Sequence, residues 1–205
     1  MFLSKTYEIE LFRCQDTNFL TINRRVLLEL ADLIDNSDIK IKMYIETRPE
    51  GINLSTIELM KKLKIDGVGM GVELSSEDFR ESNLNRFANQ EKTINAFRLL
   101  KENGIKATSY NVIGFPNQTE ESILSTIEFN KILDPDNITV AYYSPYYGTD
   151  QQRKSVDEGL FNEYEFDVDG QLRSTTVKDA LLSKDKLVSN KITTWCPPLW
   201  LVPGK

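Results

Sequence analysis

Short apolar runs alternate with longer amphipathic stretches from Tyr7 to Tyr143. Tyr7 to Arg13 reads as a strand, and Ile22, Val26, Leu27, Leu30, Leu33 and Ile34 form a helical stripe after it. Lys40 to Ile45 gives a second strand, and Ser55 with Glu58 has capping-box spacing ahead of a helix carrying Ile57, Met60 and Leu63. Gly67 to Val72 is a third strand whose glycine and valine content predicts burial on both faces, and Glu73 stops it. A short helix is expected within Glu77 to Leu84, then a longer one with Ile94, Phe97 and Leu100 that ends at Gly104. Lys106 to Ile113 is the fourth strand, Thr119 caps a helix with Ile123, Leu124, Ile127 and Ile132, and Ile138 to Tyr143 is the fifth strand.

Strand and helix units in unbroken succession imply parallel pairing through right-handed crossovers, hence an α/β sheet closed wholly or partly into a barrel. Past Thr149 the periodicity dissolves; Asp169-Gly170 reads as a plain turn, and Trp195 to Pro203 is apolar and punctuated by prolines. The expected organisation is a parallel, barrel-like domain over 1–150 and an irregular extension over 151–205.

At 205 residues, 40% hydrophobic and 27% charged, the chain can bury a core without disulfides or metal staples. A formal charge of -6 gives no basic footprint, which argues against a nucleic-acid partner. The sequence has no apolar run of membrane-spanning length and no signal-peptide pattern, so a cytoplasmic protein with no membrane partner is expected. Cys14 and Cys196 are its two cysteines and histidine is absent, which excludes a disulfide framework, zinc spacing and histidine triads. Chemistry is left to carboxylates, arginines, tyrosines or a borrowed cofactor.

In parallel α/β folds ligands bind at the carboxyl ends of the strands. Asp16, Glu46, Arg48, Glu73, Asn111, Gly114, Tyr142 and Tyr143 all follow or close apolar runs and would share one rim. Each has a plainer reading alone: an Asx turn for Asp16, a mutual pair for Glu46 and Arg48, end packing for the tyrosines, and a small core residue for Cys14. Gly114 and Pro116 turn the chain from strand to helix, where a glycine admits a ligand close to the backbone and the free amides of the helix start favour an anion.

The runs Gly69-Met-Gly-Val-Glu73, Asn85-Arg86-Phe87, Ile113-Gly-Phe-Pro-Asn-Gln-Thr-Glu-Glu121 and Tyr143-Ser-Pro-Tyr-Tyr-Gly-Thr149 resemble the later strands of a radical S-adenosylmethionine barrel. Their order and spacing are similar to its cobalamin-binding and methylthiotransferase-like branch, and Phe12-Arg-Cys-Gln-Asp16 through Phe19 resembles that branch's second-strand loop. The resemblance runs from Tyr7 to Thr149 and implies a partial TIM-like barrel with about five of its six strand and helix units present. It further implies that Glu73 holds the ribose hydroxyls, Arg86 the methionyl carboxylate, Gly114 to Pro116 the adenine and Tyr142 to Pro145 the far wall. Asp16 and Asn18 would clasp the methionyl amino group, Asn111 would join the cofactor set, and Glu46 and Arg48 would face a small-molecule substrate.

The three closely spaced cysteines that hold the family's 4Fe-4S cluster are absent from this sequence. The chain therefore reads as the carboxyl-terminal part of a radical S-adenosylmethionine enzyme, completed by an upstream segment or subunit that carries the cysteine triplet, with cobalamin compatible with the full-length protein. Two other readings stand beside it: a degenerate barrel that binds a ligand or partner without turnover, and an unrelated barrel enzyme using Glu46 and Glu73 as acid and base.

Overall fold

A computed structural model describes residues 2–37, 39–84, 88–115, 118–143 and 148–159. Five parallel strands form one sheet in sequence order. They are β1 (Leu11–Arg13), β2 (Lys42–Thr47), β3 (Ile65–Glu73), β4 (Lys106–Ile113) and β5 (Asn137–Tyr142). The helices are α1 (Phe2–Tyr7), α2 (Arg24–Asp35), α3 (Leu54–Lys62), α4 (Glu77–Leu84), α5 (Gln90–Glu102), α6 (Glu120–Leu133) and α7 (Asp150–Asp157).

The register pairs Arg13 with Tyr44, Tyr44 with Gly67, Glu46 with Gly69, and Gly69 with Thr108. Since side chains alternate across a sheet, Met43, Ile45, Val68, Met70, Val72 and Ala107 share one face. They pack there against Leu27, Ala31 and Ile34 of α2, Ile57 and Met60 of α3, and Ala96, Phe97 and Leu100 of α5 as one buried core. The opposite face of the same strands carries Tyr44, Glu46, Thr108 and Tyr110 beside the glycines of β3.

Local signals set most boundaries. Asn53 accepts from the Thr56 amide while the Thr56 hydroxyl accepts from the Asn53 amide, so the capping box lies two residues before the expected Ser55 and Glu58. Gly104 at φ +70° ends α5, and Thr119 caps α6 through the Ser122 amide, both as expected. The expected Tyr7 to Arg13 strand is shorter: α1 extends to Tyr7, Glu8 turns the chain at φ +56°, and only Leu11–Arg13 pair with β2. The irregular chain expected after residue 150 begins instead with α7, capped by the Thr149 hydroxyl. Its buried side chains include Gln152 and Ser155, so apolar periodicity could not announce it.

Close packing divides the chain into one unit of Met1–Asn111 with Thr126–Thr139 and another of Val112–Ser125 with Val140–Lys205. No helix among the described residues is long and apolar enough to cross a membrane.

Candidate functional site

In the first unit, Glu73 closes β3 in a conformation that few side chains adopt. Its φ is +63°, the Leu74 amide bonds to the Val72 carbonyl at 2.8 Å, and the β3 to β4 register skips Val72. That is a γ-turn centred on Glu73, of the rarer sign that stores strain, of order 1–3 kcal/mol for such a backbone. The chain beyond it is tied down: the Ser75 amide donates to Thr126 Oγ1 at 3.1 Å, and Gln90 Nε2 donates to the Ser75 carbonyl at 3.1 Å. Glu77 Oε1 in turn accepts from the Gln90 amide at 2.6 Å. Strand geometry and these anchors therefore hold Glu73 at the carboxyl end of β3 whatever the turn costs.

Arg80 of α4 is 2% exposed and donates from Nε to the Ser76 carbonyl at 3.3 Å, while its Nη2 has no hydrogen-bond partner among the described residues. Burial pushes this guanidinium below its ordinary pKa, offset by the charges of Glu77, Glu50 and Glu73 in that order. The negative charge of these three carboxylates is what compensates a guanidinium held out of water. Nothing in the apolar pattern signalled it, because the position reads as one of many surface arginines.

On the sheet face opposite the helices, Arg13, Tyr44, Glu46 and Tyr110 form one cluster. Arg13 Nη2 donates to Glu46 Oε1 and, at 3.2 Å, to the Tyr110 hydroxyl. The Tyr110 hydroxyl lies 2.9 Å from that of Tyr44 and 3.5 Å from Glu46 Oε1, and the guanidinium carbon stands 5.3 Å from the Tyr44 ring centroid. The glycines of β3 make room for both rings. A β-carbon on Gly69 would meet the Tyr110 hydroxyl at 2.5 Å, and one on Gly67 would meet Tyr44 at 2.8 Å. Burial first, then the hydrogen bond to Tyr44, push the Tyr110 phenol far up, so it stays protonated and acts as a neutral donor. Glu46 thus pairs with Arg13 and not with Arg48, which is exposed.

The other candidates in this unit sit differently. The Asn18 carbonyl oxygen of the side chain accepts from the buried Thr47 hydroxyl at 2.8 Å, which fixes the loop after β1, and Asp16 is exposed on that loop. Asn111 is 3% exposed on the helix-covered side: it donates to Ser109 Oγ at 2.8 Å and accepts from Asn130 Nδ2 at 2.9 Å. Cys14 is half-buried against the core as expected, and burial, then Asp16, pushes its thiol up.

In the second unit, Gly114 adopts φ +85° with Tyr142 Cδ1 3.9 Å from where a β-carbon would stand. The amides of Gly114 and Phe115 both donate to Gln118 Oε1, at 2.6 and 3.3 Å, so the loop satisfies its own backbone there. Tyr143 is buried, its ring 4.8 Å from that of Phe115 and its hydroxyl 3.4 Å from Ser155 Oγ. Tyr142 ends β5 and is 39% exposed. Arg86, Pro116 and Pro145 lie outside the described residues.

Two cysteines in the whole sequence cannot supply the thiolates of a four-iron cluster, and no group of three or more metal-binding side chains occurs among the described residues. For a nucleoside cofactor the residue types are suited within each unit: a carboxylate at a strand end for hydroxyls in the first, and a glycine at positive φ beside a ring in the second.

The chain matches the Radical SAM superfamily over residues 14–129. It is 27% identical over 143 residues to a protein of Pyrococcus horikoshii named as an uncharacterized methyltransferase, covering 70% of this chain and 31% of that one. Coproporphyrinogen III oxidase of Escherichia coli shares the fold with a TM-score of 0.64 at 20% identity, over 91% of this chain and 40% of that chain. The methyltransferase TsrM of Kitasatospora setae, solved with cobalamin and a [4Fe-4S] cluster, gives 0.61 at 17% identity over 70% of this chain and 27% of that chain. The fold in common is the α/β TIM-like barrel of radical SAM enzymes. The chain spans less than a third of the length of the curated relatives it matches, 26% to 31% of each of six. Because the matched stretch takes in β2, β3 and β4 whole, with Glu46, Glu73 and Asn111 on them, this chain belongs to the radical SAM superfamily.

Proposed function

We propose that this chain supplies most of the adenosylmethionine-binding strand ends of a radical SAM enzyme whose cluster-ligating cysteines come from another segment or subunit. The observation that carries the proposal is the γ-turn at Glu73, because backbone strain held in place by surrounding bonds is the signature of a functional position. In this reading Glu73 accepts from the ribose hydroxyls, the Asp16 and Asn18 loop meets the methionyl amino group, and Arg86 the methionyl carboxylate. Gly114 and Pro116 lie along the adenine, and Tyr142 walls it. Asn111, committed to Ser109 and Asn130, supports β4 from behind. Bound adenosylmethionine would supply 5'-deoxyadenosyl-radical chemistry; the residues of this chain bind and orient it. Cobalamin, present in a structural neighbour, belongs in this reading to parts of the full-length enzyme beyond the matched strands.

Cysteine content decides how the proposal is tested. Reconstituted anaerobically with iron and sulfide, this chain alone is expected to stay colourless, and to gain a stable brown cluster only with a segment carrying a cysteine triplet. A cluster formed by the chain alone contradicts the division of labour. If no added segment restores one, the barrel binds without turnover.

A further inference from the structure

We infer that Arg13, Glu46 and Tyr110 form a recognition site for an α-amino-acid zwitterion, on the face of the sheet opposite the helices. The inference rests on the proposed function only in taking the carboxyl ends of these strands as the ligand side.

The cluster is more than a surface ion pair, which alone would hold its geometry weakly. Four residues from β1, β2 and β4 lock one another: Arg13 bonds to Glu46 and Tyr110, Tyr110 to Tyr44, and the cation lies near the Tyr44 ring. Gly67 and Gly69 are required for that arrangement, because any side chain there would occupy the space of the rings. The result is a preorganised set of polar groups on rigid strands, the form in which binding sites lose least on association.

What it leaves unused identifies the ligand. Glu46 accepts through Oε1 from both Arg13 and Tyr110, while among the described residues Oε2 has no hydrogen-bond partner. Arg13 donates through Nη2, while Nε and Nη1 have no partner among those residues. The side chains of Arg13 and Glu46 are 54% and 28% exposed, so these atoms are reachable. A simple anion drawn to Arg13 meets the charge of Glu46, and a simple cation drawn to Glu46 meets Arg13. A carboxylate and an ammonium on one carbon satisfy both, the carboxylate on the guanidinium and the ammonium on Oε2. The protonated Tyr110 phenol keeps Glu46 an acceptor and adds no charge. A free amino-acid substrate offers this chemistry, the methionyl end of adenosylmethionine being assigned above to Asp16, Asn18 and Arg86.

The test is titration of the full chain with each of the common L-α-amino acids and, separately, with adenosylmethionine, repeated with Glu46→Gln and Arg13→Lys and with melting curves to confirm folding. The expected result is saturable binding of at least one free amino acid that weakens tenfold or more in both variants, with adenosylmethionine affinity changed much less. For a free amino acid, the N-acetyl and carboxamide derivatives should lose binding to the same extent. Glu46-dependent binding of an amino acid in the presence of saturating adenosylmethionine supports the substrate site; competition between the two overturns it. If no amino acid binds in a Glu46-dependent way, the inference is overturned, even where adenosylmethionine binding that depends on Glu73 leaves the proposed function standing. Glu46-dependent amino-acid binding with no affinity for adenosylmethionine does the reverse.

Discussion

Gly69→Ala is expected to destabilise the fold by about 3 kcal/mol, the upper range for forcing one extra carbon into a packed site. For a chain of this size that is a fall in melting temperature of roughly 6 to 12 °C. The sign is not obvious beforehand, since alanine in place of glycine usually stabilises a strand by restricting the unfolded chain, by about 0.4–1 kcal/mol. Here the new carbon would stand 2.5 Å from the Tyr110 hydroxyl, 2.6 Å from its Cε2 and 2.7 Å from its Cζ. The ring cannot swing aside without leaving Tyr44 and Arg13. In a Tyr110→Ala background the same substitution should therefore cost little, and the coupling in a double-mutant cycle should be about 2 kcal/mol or more. An equal penalty in both backgrounds would show that the glycine serves the backbone instead.

Asn130→Ala should be comparably severe, about 2–4 kcal/mol by denaturant unfolding, since it strips partners from more than one buried group. The Asn130 carboxamide accepts from Ser109 Oγ at 2.6 Å and donates to Asn111 Oδ1 and to the Thr126 carbonyl, each at 2.9 Å. Ser109 is fully buried and Asn111 3% exposed, so water cannot replace what is lost. Thr126, one turn before Asn130, also holds the Ser75 amide beyond Glu73. Loosening α6 is thus expected to reach the Glu73 turn. A cost below about 1 kcal/mol would mean that the network is replaceable by packing.

The elements legible in the sequence were those whose causes are local. The strand at Lys106–Ile113 and the helix at Glu77–Leu84 match the residues at which apolar runs and helix signals start and stop. Where the expectation missed, the cause lay beyond the local window. Tyr7, Ile9 and Leu11 alternate like a strand face yet are 63%, 38% and 58% exposed, because the described chain brings no surface to cover them. The capping box moved because Asn53 offers the same spacing two residues earlier with extended backbone. Of the site, strand ends could be located from pattern alone, but pairings across strands could not. Arg13 finds Glu46 33 residues away only through the register of β1 on β2. Nor could the turn at Glu73 be read, since a left-handed glutamate contradicts its own propensity and is set by the bulge opposite Asn111.

Glu73 carries the central claim, and calorimetric titration of adenosylmethionine into the chain and its Glu73 variants tests it most directly. Glu73→Gln keeps an acceptor but removes the charge, so affinity should fall by about 1–2 kcal/mol, the scale of a charge-assisted hydrogen bond. Glu73→Ala should lose more, beyond about tenfold and toward a hundredfold. Both substitutions also remove charge that offsets the buried Arg80 guanidinium, so some fall in melting temperature is expected in each, and affinities are compared at a temperature where every variant is folded. The account predicts saturable binding that weakens in the order glutamate, glutamine, alanine; adenosylmethionine affinity unchanged in the alanine variant would contradict it.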